Sequence, residues 1–313
     1  MTMLRKITVG CLWMFCALAV ISTPSFAEKE NSACAINDYD NNGPYKVKKT
    51  RLGNIEIFEP TGPCNSERKM PLIVFSYGFS AVIADALAPY DTYAKYLASK
   101  GYLVAFNKNG SFREYCKGEQ SILKIAKKVF SSRKYSNRVA KHWGVAGHSM
   151  GATTSARLAV GREKDRVARL MKAAVAVQPA YLNPVSAIST GGKAGTTALL
   201  KSYQILCKSK QSNSTVKPTL FLGGNLDRWG EGENPYISFE KAKGPAFVAT
   251  QPNAGHILDG TLAVGRGSNR SYLRAAAAWF RCHLDEDSHA CNLFKEDQSI
   301  CDKDLTNCIG KNL

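Results

Sequence analysis

Apolar residues occur along the chain in short continuous runs separated by amphipathic segments. The runs at 71–77 (PLIVFSY) and 102–106 (YLVAF) have no polar alternation, which is typical of strands covered on both faces of a sheet. Residues 54–59 place Ile55 and Ile57 between polar positions, which predicts another strand, and further strands are predicted at residues 143–146, 173–177, 219–223 and 247–250.

Amphipathic segments lie between these runs. Residues 121–130 (SILKIAKKVF) place Ile122, Ile125 and Val129 on one helical face and lysines on the other. Further helices are predicted at 90–99, 150–160, 196–206 and 271–283. Strands that alternate with helices predict the α/β class, with a mostly parallel central sheet and helices on both faces.

One connection between predicted strands, residues 183–217, is unusually long. We interpret it as an insertion that forms a lid or a surface excursion. Its glycine cluster at 191–195 lacks the spacing of a phosphate-binding loop and follows no apolar strand, so nucleotide binding is not expected. The remainder predicts a single domain over 28–313.

The first residues have the pattern of a secretory signal peptide. Arg5 and Lys6 precede an apolar run at 7–21, and small residues lead up to Ala27. Cleavage after Ala27 leaves 286 of the 313 residues, in a secreted or periplasmic protein. A membrane anchor is the alternative, but the run is shorter than the ~20 residues that a span needs.

Cysteine usage also favours export. Ten cysteines are present, and the eight outside the leader allow up to four disulfides. Eight cysteines permit 105 pairings, so the connectivity stays open. The sequence contains no C-x-x-C pair, so the cysteines do not favour a metal site. In the cysteine-rich tail at 282–313, proximity favours Cys282 with Cys291 and Cys301 with Cys308.

The formal charge is +17, and removing the two positive charges of the leader leaves +15. Such a charge attracts anionic surfaces, including acidic membranes. The alternative is a soluble protein with a basic surface. Nucleic acid is not expected as a partner, because the lysines are dispersed and accompany no known binding motif.

Residues 147–151 read GHSMG and match G-x-S-x-G. In a nucleophile elbow this motif follows a strand and opens a helix, and the crowded turn requires its glycines. The predicted strand at 143–146 and helix at 150–160 provide that context. We therefore predict Ser149 to be a nucleophile; the alternative is a structural turn in a catalytically dead protein.

A nucleophilic serine needs a histidine base that follows it in the chain. His142 precedes the elbow strand at the wrong end, and His148 is expected to point away from the serine. His283 and His289 lie in or beyond the closing helix. His256, in a loop after the strand at 247–250, is the remaining candidate, although it could be an ordinary surface histidine.

The orienting acid should lie between the serine and the histidine, after an apolar strand. Asp227 follows the strand at 219–223 and is the best candidate. Glu231 and Glu233 are rivals in the same loop, and a capping role for Asp227 is the structural alternative.

An ester carbonyl also needs backbone donors for the oxyanion that forms on it. The N–H of Met150, directly after the serine, is one candidate. The Phe79 N–H, in the YGFS loop after the strand at 71–77, is the second. The alternative for that loop is an ordinary turn at Gly78.

The GHSMG motif, the acid after PTLFLGGNLD, the histidine in NAGH and the YGFS loop together resemble the α/β-hydrolase superfamily. Within it the chain is similar to bacterial cutinases and polyester hydrolases, and to the dienelactone hydrolase, chlorophyllase and platelet-activating-factor acetylhydrolase branch. The similarity covers roughly residues 71–291. It implies that Ser149, Asp227 and His256 form a catalytic triad.

The resemblance also implies that Phe79 and Met150 form the oxyanion hole and that no cofactor is needed. It implies an aromatic substrate cleft formed by Phe79, Tyr181, Trp229 and Ile257. The chain departs from the family at 152–154, where Ala-Thr-Thr replaces further glycines, and at 183–217, where the connection is longer.

These departures do not affect the predicted catalytic residues. They leave open whether the substrate is a small ester or a polymer. The sequence thus predicts a secreted serine esterase of the cutinase type. Two alternatives are a lipase or phospholipase at anionic membranes and a non-catalytic binding protein on a hydrolase scaffold.

Overall fold

A computed structural model describes Cys34, Ile36 and residues 38–65, 68–78, 88–107, 117–162, 164–179, 214–227, 234–256, 268–295, 299–302 and 304–313. The predicted leader, the predicted helix at 196–206 and most of the 183–217 connection lie outside these residues.

The described strands form one nine-stranded sheet in the order β1-β2-β4-β3-β5-β6-β7-β8-β9. The six strands from β4 to β8 in this order run parallel to one another, whereas the pairs β1–β2, β2–β4 and β8–β9 at the edges are antiparallel. The strands are β1 (Lys46–Leu52), β2 (Ile55–Thr61), β3 (Met70–Ser76), β4 (Leu103–Asn107), β5 (Val139–His148), β6 (Met171–Val177), β7 (Thr219–Gly224), β8 (Ala246–Gln251) and β9 (Thr306–Lys311).

Helices cover both faces of the sheet. They are α1 (Ala88–Ser99), α2 (Gly118–Ser131), α3 (Met150–Ala159), α4 (Arg166–Arg169), α5 (Asn234–Lys241), α6 (Ser268–Leu284) and α7 (Ser288–Asn292), with a short 3-10 turn at Pro63–Asn65. The buried apolar residues of α1 and α6 share one core cluster, whereas those of α2, and those of α3 other than Met150, belong to clusters on the other face. The α/β class with a mostly parallel sheet is therefore confirmed.

The predicted elements within the described residues are present, with some changes. The strand predicted at 143–146 begins at Val139, so it includes His142 rather than following it. Two edge strands were not predicted, since KVKKTRL (β1) and TNCIGK (β9) are polar or irregular in pattern. Edge strands need only one paired side, and charged residues there discourage unwanted pairing between chains. The helices α4, α5 and α7 are too short for their apolar period to be recognised.

Two buried tryptophans mark the two halves of the core. Trp143 of β5 is fully buried beneath the α2–α3 face, and its indole N–H donates to Val167 O at 2.7 Å. Trp279 of α6 packs edge-on against Phe294 on the opposite face, with ring centroids 5.0 Å apart. Apolar burial on both faces explains why the central strands read as continuous apolar runs.

Three disulfides lie within the described residues, Cys34–Cys64, Cys282–Cys291 and Cys301–Cys308. The two pairs that proximity favoured in the tail are thus confirmed, while Cys116 and Cys207 lie outside the described residues. Disulfides of this number are typical of an oxidising, extracellular environment. Of the helices in the described part of the chain, none combines the length and apolar character required to cross a membrane.

The C-terminal tail is attached to the domain through a buried carboxylate. Asp285, just after α6, accepts a hydrogen bond from the Tyr102 hydroxyl at 2.9 Å and pairs with Arg281 at 3.2 Å. Asp287 caps α7 by accepting from the Ala290 N–H at 3.1 Å. These contacts and the Cys282–Cys291 bond hold α7 beside α6, so that the chain returns to place β9 on the sheet.

Candidate active site

Ser149 occupies the sharp turn between β5 and α3, at the carboxyl end of the parallel sheet. Its backbone has φ 56° and ψ −121°, a conformation that residues with a Cβ rarely adopt. Strain of this kind costs on the order of 1–3 kcal/mol and persists only where surrounding contacts enforce it. The Ser149 N–H donates to Val177 O at 3.0 Å, which ties the turn to the neighbouring strand β6.

The two glycines of the motif are required by close backbone contacts. A Cβ at Gly147 would lie 2.3 Å from Gly151 O, and a Cβ at Gly151 would lie 2.1 Å from Ser76 O. Both distances are far below van der Waals contact. The turn can therefore form only with hydrogen at these positions, which is the physical basis of the G-x-S-x-G spacing.

The structure brings the three residues of the predicted triad together. Ser149 Oγ lies 2.8 Å from His256 Nε2, and His256 Nδ1 lies 2.9 Å from Asp227 Oδ2. A carboxylate can only accept, so Nδ1–H donates to Asp227 and Nε2 of the neutral ring accepts from the serine hydroxyl. The arrangement is able to remove a proton from Ser149 and to stabilise the resulting imidazolium.

Hydrogen bonds between the two loops set the spacing of Asp227 and His256. The N–H of Asn253, a residue at positive φ, donates to the Asn225 side-chain oxygen at 2.6 Å. The Leu226 N–H donates to Ala254 O at 3.0 Å. A Cβ at Gly224 would lie 2.3 Å from that same Ala254 oxygen, so a glycine is needed for the loops to approach.

The site is enclosed but reachable. Ser149 is 7% exposed and Asp227 5%, while the His256 side chain keeps 12% exposure. Met150 is the first residue of α3, so its N–H has no acceptor within the helix. The positive end of the helix dipole is directed toward the same point, where it would favour a developing negative charge.

His148, set aside as a base, lies beneath this site. It is 3% exposed, and burial, followed by the nearby charge of His256, lowers its pKa to about 3. Its Nδ1 lies 2.9 Å from the Tyr90 hydroxyl, and its Nε2 lies 2.9 Å from His256 O and 3.1 Å from Gln178 Oε1. Sequence reasoning did not find Tyr90 and Gln178, because no local spacing links them to the motif.

Several predicted site residues lie outside the described part of the chain. They are Phe79, Tyr181, Trp229 and Ile257, together with the rival acids Glu231 and Glu233. Their roles stay predictions. Within the described ranges, no group of three or more His, Cys, Asp and Glu side chains is placed to hold a metal ion.

No protein-family model and no curated protein matches the chain.

Proposed function

We propose that this protein is a secreted serine hydrolase with an α/β-hydrolase fold, and that it cleaves carboxylic esters in the manner of a cutinase or related esterase. One observation carries the proposal. Ser149, held in a strained strand-to-helix turn, lies 2.8 Å from His256 Nε2, and the same imidazole lies 2.9 Å from Asp227. A structural turn would need neither the strain nor the aligned pair.

In the proposed reaction, the Ser149 oxygen attacks the ester carbonyl while His256 Nε2 takes the hydroxyl proton. The carbonyl electron pair moves onto oxygen, and the N–H of Met150 together with that of Phe79 would stabilise this oxyanion. Collapse of the intermediate breaks the bond to the alcohol, which leaves with the proton from His256. An acyl group then remains on Ser149.

Water completes the cycle in the same geometry. His256 takes a proton from water as the water oxygen attacks the acyl carbon, and the proton returns to Ser149 Oγ as the acid departs. Asp227 keeps its charge throughout and stabilises the imidazolium. These steps use only side chains and backbone groups of the chain, so no cofactor takes part in the proposed mechanism.

The proposal is tested with the purified protein and a short-chain p-nitrophenyl ester. Ser149→Ala should lower kcat/KM by at least roughly 10³-fold while the protein stays folded. Ser155→Ala is the matched control, because its hydroxyl donates to Gly151 O within α3 and does not face the site. Full activity of Ser149→Ala would overturn the proposal, and failure of a fluorophosphonate to label Ser149 would favour a binding protein.

Lipid ester hydrolysis at an anionic membrane is the second candidate function. The charge of +15 that remains without the predicted leader favours it, as do exposed lysines on the edge strand β1 and on α2. Binding to vesicles of anionic lipid, weakened by salt, should exceed binding to neutral vesicles. Equal binding to both would count against a membrane substrate.

A further inference from the structure

A chain of hydrogen bonds runs beneath the site from one loop to another. The Gly78 N–H donates to the Tyr90 hydroxyl oxygen at 3.1 Å, and that oxygen lies 2.9 Å from His148 Nδ1. His148 Nε2 lies 2.9 Å from the carbonyl oxygen of His256. These hydrogen bonds therefore connect the loop after β3 with the loop that carries the proposed base.

The two ends of this series of hydrogen bonds fix one proton, and burial fixes the other. The Gly78 amide can only donate and the His256 carbonyl can only accept, so His148 Nε2 carries a proton. Burial lowers the His148 pKa to about 3, so the imidazole is neutral. Its Nδ1 is then the acceptor for the Tyr90 O–H.

Gln178 fixes the same tautomer from the side. Its Oε1 lies 3.1 Å from His148 Nε2, and its Nε2 donates to Gly255 O. The amide is thereby oriented with its oxygen toward the imidazole N–H. Because Gly255 O and His256 O both receive donors from beneath, the backbone on which His256 stands is held at two consecutive carbonyls.

The packing around Gly78 leaves little room for movement. A Cβ at Gly78 would lie 2.9 Å from Ser149 Cβ and 3.2 Å from both His148 Nδ1 and the Tyr90 oxygen. The Gly78 backbone is thus pressed between the nucleophile and the hydrogen-bonded pair. Its N–H is engaged by Tyr90, so the proposed oxyanion donor of this loop is the next amide, that of Phe79.

We propose that Tyr90 and His148 are positioning residues, which together hold the oxyanion-forming loop and the backbone of His256 in register around Ser149. This inference rests on the proposed function, because positioning matters only if Ser149 and His256 react. Neither side chain needs to touch the substrate. Buried polar chains of this kind are favourable when fully paired and costly when one partner is lost.

Helix α1 contains a matched control for the Tyr90 hydroxyl. Tyr93, one turn further along, is also buried, and its hydroxyl has no hydrogen-bond partner among the described residues. Both rings pack against Phe75, at centroid distances of 5.7 Å and 6.0 Å. Tyr→Phe at the two positions therefore removes the same atom from similar apolar surroundings and differs in the hydrogen bonds lost.

The first test is kinetic, with the p-nitrophenyl ester. Tyr90→Phe should lower kcat roughly 10- to 100-fold with KM changed less than about threefold, since small displacements of reacting groups are costly. Tyr93→Phe should stay within about twofold of the unaltered protein. The double variant Tyr90→Phe/His148→Gln should be no slower than the slower of its two single variants, because the effects of mutations within one hydrogen-bond network are not additive. Unchanged kcat in Tyr90→Phe, or fully additive losses, would overturn the positioning role.

The second test requires no activity and uses ¹⁵N NMR of the histidine rings. His148 should be neutral with its proton on Nε2 from pH 5 to pH 8, and Tyr90→Phe but not Tyr93→Phe should shift its Nδ1 signal. A proton on Nδ1, or titration of His148 within that range, would overturn the inference even in an active esterase. If Ser149→Ala matches the unaltered protein in activity, the proposed function fails instead, and the positioning role fails with it.

Discussion

Asp227 Oδ2 and His256 Nδ1 lie 2.9 Å apart, and the loops that carry them are joined by two backbone hydrogen bonds just before the pair, from Asn225 N–H to Gln251 O and from Leu226 N–H to Ala254 O. The contact is therefore imposed by two strand ends, β7 and β8, that are neighbours in the sheet. The carboxylate is 5% exposed, so its partnership with the imidazole is shielded from solvent. In the proposed mechanism this shielding strengthens the stabilisation of the imidazolium.

Replacing the carboxylate should reduce turnover without unfolding the protein. Asp227→Asn is expected to lower kcat by roughly 10³- to 10⁴-fold, because an amide leaves the imidazole in the wrong tautomer and does not stabilise its charge. Steady-state hydrolysis of a p-nitrophenyl ester measures this. Glu231→Gln and Glu233→Gln are the comparison variants and should stay near the unaltered rate. A larger loss in either glutamate variant than in Asp227→Asn would assign the acid role to that glutamate.

A methyl group at Gly151 should be incompatible with the elbow. Its Cβ would meet Ser76 O at 2.1 Å, so Gly151→Ala must displace backbone that belongs to β3. We expect a loss of about 2–4 kcal/mol in the free energy of unfolding, measured in urea. Gly255→Ala is the matched comparison, because no atom of the described residues lies within 4 Å of a Cβ there, and its stability should change by less than about 1 kcal/mol. Equal stability of the two variants would contradict the crowding argument.

The partly buried His283 of α6 should make stability depend on pH. Burial lowers the pKa of His283 to about 4, below the ordinary value of 6.5. The unfolded chain then binds this proton more readily, so stability is present above about pH 6.5 and falls as the pH decreases toward 4. Between pH 7 and pH 5 the loss from this group should be about 1–2 kcal/mol.

The measurement is urea unfolding at both pH values in His283→Gln, with the exposed His289→Gln as control. The first variant should lose less stability on acidification than the unaltered protein, whereas the control should lose the same amount. An identical pH dependence in all three proteins would show that His283 does not titrate differently on folding.

The disulfides should differ in their contribution to stability according to the loop that each closes. Cys34–Cys64 spans 30 residues, whereas Cys301–Cys308 spans 7. The chain-entropy relation gives about 3.7 kcal/mol for the longer loop and about 2.4 kcal/mol for the shorter one. The double variants Cys34→Ala/Cys64→Ala and Cys301→Ala/Cys308→Ala, unfolded in urea under non-reducing conditions, test this order. A larger loss for the shorter loop would argue that native contacts outweigh loop entropy.

Local patterns were sufficient to predict the central strands, the long helices and the position of Ser149. The strands between β3 and β8 are covered on both faces, so burial leaves a continuous apolar run in the chain itself. The elbow is a turn of five residues, and its glycines are required by contacts within that turn and with the adjacent strand. Features of this kind are visible in sequence because the residues that form them are neighbours or share one period.

The edges of the sheet and the lower part of the site could not be predicted in this way. The strands β1 and β9 are defined by pairing with β2 and β8, and their own residues follow no apolar period. His148 contacts the Tyr90 hydroxyl, 58 positions earlier in the chain, and the His256 carbonyl, 108 positions later. No spacing rule connects residues at such separations, because their contact depends on how α1 and β8 are placed on the sheet.

The sequence by itself therefore determined the fold class, the candidate nucleophile and the order of serine, acid and histidine along the chain. Only the tertiary structure decided that His256 lies at hydrogen-bond distance from both Ser149 and Asp227, and that Tyr90, His148 and Gln178 lie beneath them. The physical reason is the separation along the chain of the residues that interact. The apolar periodicity of a strand or helix and the steric limits of a turn involve residues that are close in the chain. A hydrogen bond between residues far apart in the chain forms only after the sheet has brought distant strand ends to the same edge.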